Sequence, residues 1–221
     1  VAPTPIIWSN DGGVAVALDS ELKAHVVFGR MRNSDDDFAT EGNSYYPVTD
    51  GLCYWKEGMP VLDTTAMADW DGLVANGNLI GGMLDYNNNG EIDFPEVGAN
   101  EFPMGLYGNS LSSFGQITID ESDNIFVTFS ACREDLVNAG ASPNAQVYRH
   151  LYTTSKMAGQ DTWSDQLDLT DDIEHSYDEC VAASLAPTTF DGKLHMIYHL
   201  DPEPGTAIGS DGDEPSDTYI N

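Results

Sequence analysis

Between residues 85 and 96 the chain reads Asp85-Tyr86-Asn87-Asn88-Asn89-Gly90-Glu91-Ile92-Asp93-Phe94-Pro95-Glu96. Oxygen-bearing side chains fall at the first, third, fifth and ninth places, as Asp85, Asn87, Asn89 and Asp93. Gly90 stands sixth, where the chain must turn sharply, and the backbone carbonyl of Glu91 is offered seventh. Glu96, at the twelfth place, can bind through both carboxylate oxygens. This spacing suits a hard cation, because Ca²⁺ takes about 6–8 oxygens at flexible distances. The predicted metal ligands are therefore Asp85, Asn87, Asn89, Glu91, Asp93 and Glu96. Asparagine at two places leaves Asp85, Asp93 and Glu96 as the anions, which points to weak binding of ~10⁻⁴–10⁻³ M.

This is the twelve-residue calcium loop of the EF-hand type, with Ile92 as its apolar anchor. A signalling hand needs flanking amphipathic helices, and Pro95 followed by Gly98-Ala99-Asn100 leaves no exit helix of useful length. Upstream, Thr65 to Val74 reads as a short helix. The expected role of the ion is structural, stapling an insertion over residues 65–110. The competing reading is an Asn/Gly-rich surface loop that binds nothing.

Other residues are less specific. Asp171, Asp172, Glu174, His175, Tyr177, Asp178 and Glu179 offer a carboxylate acid–base pair or a Tyr–Glu nucleophile, against a solvated turn. The arginines are Arg30, Arg32, Arg133 and Arg149, of which Arg30 and Arg133 follow second strands. Asp35-Asp36-Asp37 and the run Asp201 to Glu214 read as acidic loops, with a second cation as the alternative. Tyr45, Tyr46, Tyr54, Trp55 and Trp163 either stack on sugars or fill wedges between sheets. Cys53, Cys132 and Cys180 show no CxxC spacing; one disulfide and three buried thiols are both open.

The elements that must position these residues are strands. Val14–Asp19 is followed after a polar turn by His25–Phe28, Gln116–Asp120 by Ile125–Phe129, and Ala186–Asp191 by Leu194–Tyr198. Each is a strand ending in Asp, a tight connection and a returning strand ending in an aromatic residue. Leu52–Lys56 and Pro60–Asp63 extend the first hairpin; Gln146–Thr153 and Gln166–Thr170 extend the second. The pattern predicts an all-β chain, one propeller-like region over residues 1–221. It would hold about two and a half to three four-stranded blades plus the calcium-loop insertion. A β-sandwich is the alternative. The incomplete third unit leads to the expectation that the chain is part of a larger propeller or is completed by other residues.

Ser155-Lys-Met-Ala-Gly159-Gln-Asp-Thr162-Trp163 resembles the Asp-box turn, S-x-D-x-G-x-x-T-W, of sialidase-like (BNR-repeat) propellers, with Met157 where the Asp belongs. The wider chain looks like large secreted propeller proteins of Bacteroidota exported by type IX secretion. Asp19 to Arg32, Gly51 to Glu57, the calcium loop, Thr162 to Asp172 and Glu174 to Cys180 carry that likeness. It implies a secreted or extracellular cell-surface location. Sialidases hold their substrate with three convergent arginines, for which this chain gives no pattern.

Composition narrows the partners. The 37 acidic residues against 8 basic ones give a net charge of −29, which excludes nucleic acid and disfavours an anionic membrane surface. No apolar run is long enough to span a bilayer. The N-terminus lacks the basic start and apolar core of a signal peptide, so the chain reads as processed or as a fragment. No Ser/His/Asp arrangement, phosphate loop or dinucleotide fingerprint is present. The expectation is a calcium-stabilised binding or structural module, with a glycan or another surface protein as its partner. The alternative is part of a sialidase-like glycoside hydrolase.

Overall fold

The computed structural model describes residues 6–34, 44–98, 102–138, 145–205 and 219–220. Among the described residues the fold is all-β apart from two short helices, and the strands form three antiparallel sheets, none of them closed. The first sheet holds β1 (Ile6–Leu18), β2 (Ala24–Ser34), β4 (Leu52–Lys56) and β5 (Leu79–Gly81) in that order, with β3 (Ser44–Tyr46) paired to the far end of β2. The second runs β6 (Ser112–Ile119), β7 (Ile125–Val137), β8 (Val147–Lys156), β9 (Leu167–Asp168). The third runs β10 (Glu179–Leu185), β11 (Met196–Asp201), β12 (Tyr219–Ile220).

The first two sheets open with the same turn, and the aspartate is its cause. Asp19 Oδ1 accepts from the amides of Glu21 and Lys23, as Asp120 Oδ1 does from those of Ser122 and Asn124. Leu22 and Asp123 then take the left-handed conformation that reverses the chain, at φ of 62° and 61°. Ser20 binds Asp123 through both its amide and its hydroxyl, at 2.8 and 2.6 Å, clasping the two turns together.

Two apolar layers separate the sheets. Val27, Leu52, Tyr54 and Ile80 of the first pack on Ile117, Val127, Phe129 and Tyr152 of the second, and Trp163 closes that layer edge-on to Tyr54. On the other side Leu151 meets Cys180 and Ala183 with Met196, Tyr198 and Leu200. The second sheet is thus covered on both faces, which is why β7 is buried without alternation over Val127–Glu134. The opening strands β1, β6 and β10 stack in sequence, β6 against β1 and β10 against β6.

Some expectations are corrected. Residues 60–63 make no strand; Pro60 has no amide to donate, and Asp63 caps α1 (Thr64–Ala68) by accepting from Thr65 and Ala66. A second helix, α2 (Trp70–Ala75), follows, and the fourth strand of the first sheet is β5, inside the stretch expected to be an insertion. Arg30 ties the helices down: its guanidinium lies between Trp8 and Trp70, 4.4 and 4.7 Å from the ring centres, and donates to the carbonyls of Asp50 and Met67. Cys53, Cys132 and Cys180 are free, buried thiols. Asp35-Asp36-Asp37 and residues 206–218 lie outside the described residues.

Candidate metal centre

Loop 85–96 leaves the first sheet after β5 and lies on the end of the second. Its turn is made by Asn88 and Gly90, at φ of 57° and 90°; around Gly90 the space is open. Asp85 Oδ1 accepts from the amide of Asn89 at 3.2 Å and Oδ2 from that of Gly90 at 2.7 Å. Asn87 Oδ1 accepts from the Asn89 amide and Asn89 Oδ1 from the Glu91 amide, at 2.9 and 2.8 Å. The side-chain amides of Asn87 and Asn89 both donate to Asp93 Oδ2, at 2.8 and 2.7 Å. Four of the predicted ligands are therefore joined by one set of hydrogen bonds, and each amide oxygen keeps a second lone pair for an ion.

Glu96 is exposed at the loop's exit. Among the described residues no three His, Cys, Asp or Glu side chains stand together as a metal-holding group, so Glu96 is not drawn onto Asp85 and Asp93. The donor set itself, hard oxygens from carboxylate, amide and backbone, fits Ca²⁺ and suits few softer metals.

Underneath the loop lies a carboxylate that sequence spacing did not single out. Glu134, on β7 and 6% exposed, accepts from the amides of Tyr86 and Asn87 through Oε1, at 2.6 and 3.1 Å. Its Oε2 accepts from the amide of Asp93 at 2.9 Å. Beside it Arg133 lies over the Tyr86 ring, 4.1 Å from its centre, and pairs with Asp135, Asp168 and Asp171. The Tyr86 hydroxyl sits 3.0 Å from that of Tyr152 and 3.2 Å from Asp168 Oδ2. Asp168 also faces His150 Nδ1 at 2.8 Å; burial opposes its ionisation, but the bond from His150 carries its pKa below the usual carboxylate value. Phe94 packs with Met83, Met104, Leu111, Cys132 and Val147.

The acidic cluster at 171–179 does not converge. Tyr177 is 63% exposed and its ring meets Tyr148 edge-on. His175 bridges Asp172 and the Tyr198 hydroxyl. Glu179 turns inward and is fully buried. Its partner is Tyr107, whose hydroxyl is 2.9 Å from Glu179 Oε1, while Oε2 accepts from the Arg149 amide at 2.6 Å. Burial pushes the Glu179 carboxyl up to about 7 against the pull of Arg149. The arginines do not converge either: Arg30 and Arg32 flank Trp8, Arg133 is bound at the loop, and Arg149 is buried beneath Tyr107.

No protein-family model matches the sequence, and none of the curated proteins matches it. No helix among the described residues is long and apolar enough to cross a membrane.

Proposed function

We propose that the chain is part of a secreted, calcium-stabilised β-propeller with a binding or structural role at the bacterial cell surface. The observation that carries the propeller reading is an apolar row left exposed on the outer face of the first sheet, beside the part of that face on which the two helices lie. The sheet's other face is buried on the second sheet, yet Val14, Val16 and Leu18 stand 54, 63 and 57% exposed along β1. Such an apolar row calls for a cover, and the second and third sheets show what covers a face here: another antiparallel sheet. Up-and-down sheets stacked with their opening strands side by side are how blades pack around an axis, and a ring of four or more needs further blades. The Asp-box-like turn Ser155–Trp163 joins β8 to β9 and delivers Trp163 to the layer between the first two sheets, which supports the likeness to sialidase-like propellers.

Calcium, in this reading, is held by the side chains of Asp85, Asn87, Asn89 and Asp93 and the carbonyl of Glu91, with Glu96 completing the set. It neutralises carboxylates in a chain of net charge −29 and fixes residues 82–98 to the second sheet. The partner is a glycan or another surface protein. The test is the melting temperature with calcium and with chelator. Calcium should raise it by mass action, and Asp85→Ala should abolish the response. Identical melting with and without the ion would remove calcium from the account.

One observation favours a second reading, a glycan-cleaving enzyme: the Tyr107–Glu179 pair beside Arg149. The pair lies buried with a carboxyl of raised pKa, which serves packing better than substrate access. Turnover of sialosides is expected to be absent. Hydrolysis lost on Tyr107→Phe would make the second reading the right one.

A further inference from the structure

We infer that Glu134 is a positioning residue for the calcium loop, the group that holds residues 85–96 in their ion-accepting shape without binding the ion itself. The inference rests on the calcium reading above. Glu134 lies 41–48 residues from the amides it accepts, so it belongs to the sheet and the loop is its cargo. Both its oxygens are used. Tyr86 and Asn87 belong to the first three places of the loop and Asp93 to the ninth, so one rigid carboxylate grips both flanks of the turn. Of the four linked ligands, Asn87 and Asp93 are gripped directly, Asn89 lies between them, and Asp85 comes one residue before the first grip.

The energetics favour this role. A carboxylate accepting from backbone amides makes charge-assisted bonds, each about twice as strong as a neutral one. Among the described residues Glu134 has no basic partner, since Arg133 is turned to Asp135, Asp168 and Asp171. The amides are therefore its whole compensation, and they are lost if the loop swings away. That ties the loop's shape to the sheet before any ion arrives. A loop ordered in advance gives up less conformational freedom on binding, which matters most for a site poor in anions. The added negative charge beneath the loop acts in the same direction. Residues behind the direct ligands of metal sites typically change affinity by about 10–100-fold when altered.

The test uses the full chain and Tb³⁺, which takes the same oxygen donors as Ca²⁺ and luminesces when aromatic side chains nearby are excited. Glu134→Gln should weaken Tb³⁺ binding by at least about tenfold. Two controls should bind as the unaltered protein does: Glu121→Gln, which removes one exposed negative charge, and Val181→Ala, which loosens the core at β10 of the third sheet. Equal binding by Glu134→Gln and the unaltered protein overturns the clamp while leaving the calcium site standing. A tenfold loss in Val181→Ala overturns it as well, by showing that general loosening suffices. An unaltered protein with no Tb³⁺ signal that Ca²⁺ displaces removes the calcium reading and the clamp together. Amide exchange in the ion-free, unaltered protein needs no variant to fold. The Tyr86, Asn87 and Asp93 amides should be protected as β7 is, and rapid exchange at all three overturns the inference.

Discussion

Gly81 sits in β5 where the first sheet presses on the second, and a methyl group there tests that contact. A Cβ built on Gly81 falls 2.5 Å from Phe129 Cζ, with the two neighbouring ring carbons at 2.9 and 3.1 Å. Carbon atoms in good contact stand about 3.5–4.0 Å apart, so the ring or the strand must yield by roughly 1 Å. Phe129 cannot yield freely, because it is fully buried and stacked on Tyr152 with ring centres 5.6 Å apart. Gly81→Ala should therefore cost about 1–3 kcal/mol, the usual penalty of an overfilled core. Phe129→Leu alone should cost roughly 1–2 kcal/mol through the space it empties. Together the methyl enters that space, and the double variant should be more stable than the sum of the two losses by about 1–2 kcal/mol. Urea unfolding, read from the midpoint at constant slope, measures all three. A neutral Gly81→Ala, or strict additivity, would refute the face-to-face packing of the first two sheets.

Two further outcomes follow from buried charge. Glu179 carries a folded-state pKa near 7 against an ordinary 4.5, so it binds a proton more readily folded than unfolded. Its contribution is fully present below pH 4.5 and is lost as pH rises through 7, an upper bound of about 3 kcal/mol. His25 runs the other way: burial lowers its pKa, so its contribution falls as the solution is acidified below its ordinary 6.5. The comparison of unaltered protein with Glu179→Gln isolates the first effect. The variant should lose less stability between pH 4.5 and 7, and parallel profiles would contradict the protonation of Glu179. Arg30→Lys should cost about 1–3 kcal/mol, because an ammonium cannot lie flat between Trp8 and Trp70 and still reach both carbonyls. Unchanged urea unfolding in that variant would show the indole sandwich to be incidental.

The β character, the paired Asp turns and the tight Asx-bonded turn at 85–91 were legible because local chemistry writes them. Asp19 and Asp120 make their turns with atoms two and four residues away, and the predicted ligands lie within twelve places. What was hidden depends on distance in sequence. Strand β5 is three residues long and holds its place by pairing with β4, so no alternation announces it. Tyr107 reaches Glu179 across 72 residues, and Glu134 reaches Asp93 across 41. In a chain with 37 acidic residues Glu134 does not stand out until the fold buries it, and Glu179 is marked only as one member of the cluster at 171–179. The signal that remained was weak: Glu134 sits inside the apolar strand Ile125–Val137, where a charge has to be explained.

The central claim is that one calcium ion binds in loop 85–96. Calorimetric titration of Ca²⁺ into the chelator-stripped chain tests it directly. The expected result is one weak site per chain, with Kd of ~10⁻⁴–10⁻³ M, and loss of that heat in Asp85→Ala. A flat titration, or binding that survives Asp85→Ala unchanged, would contradict it.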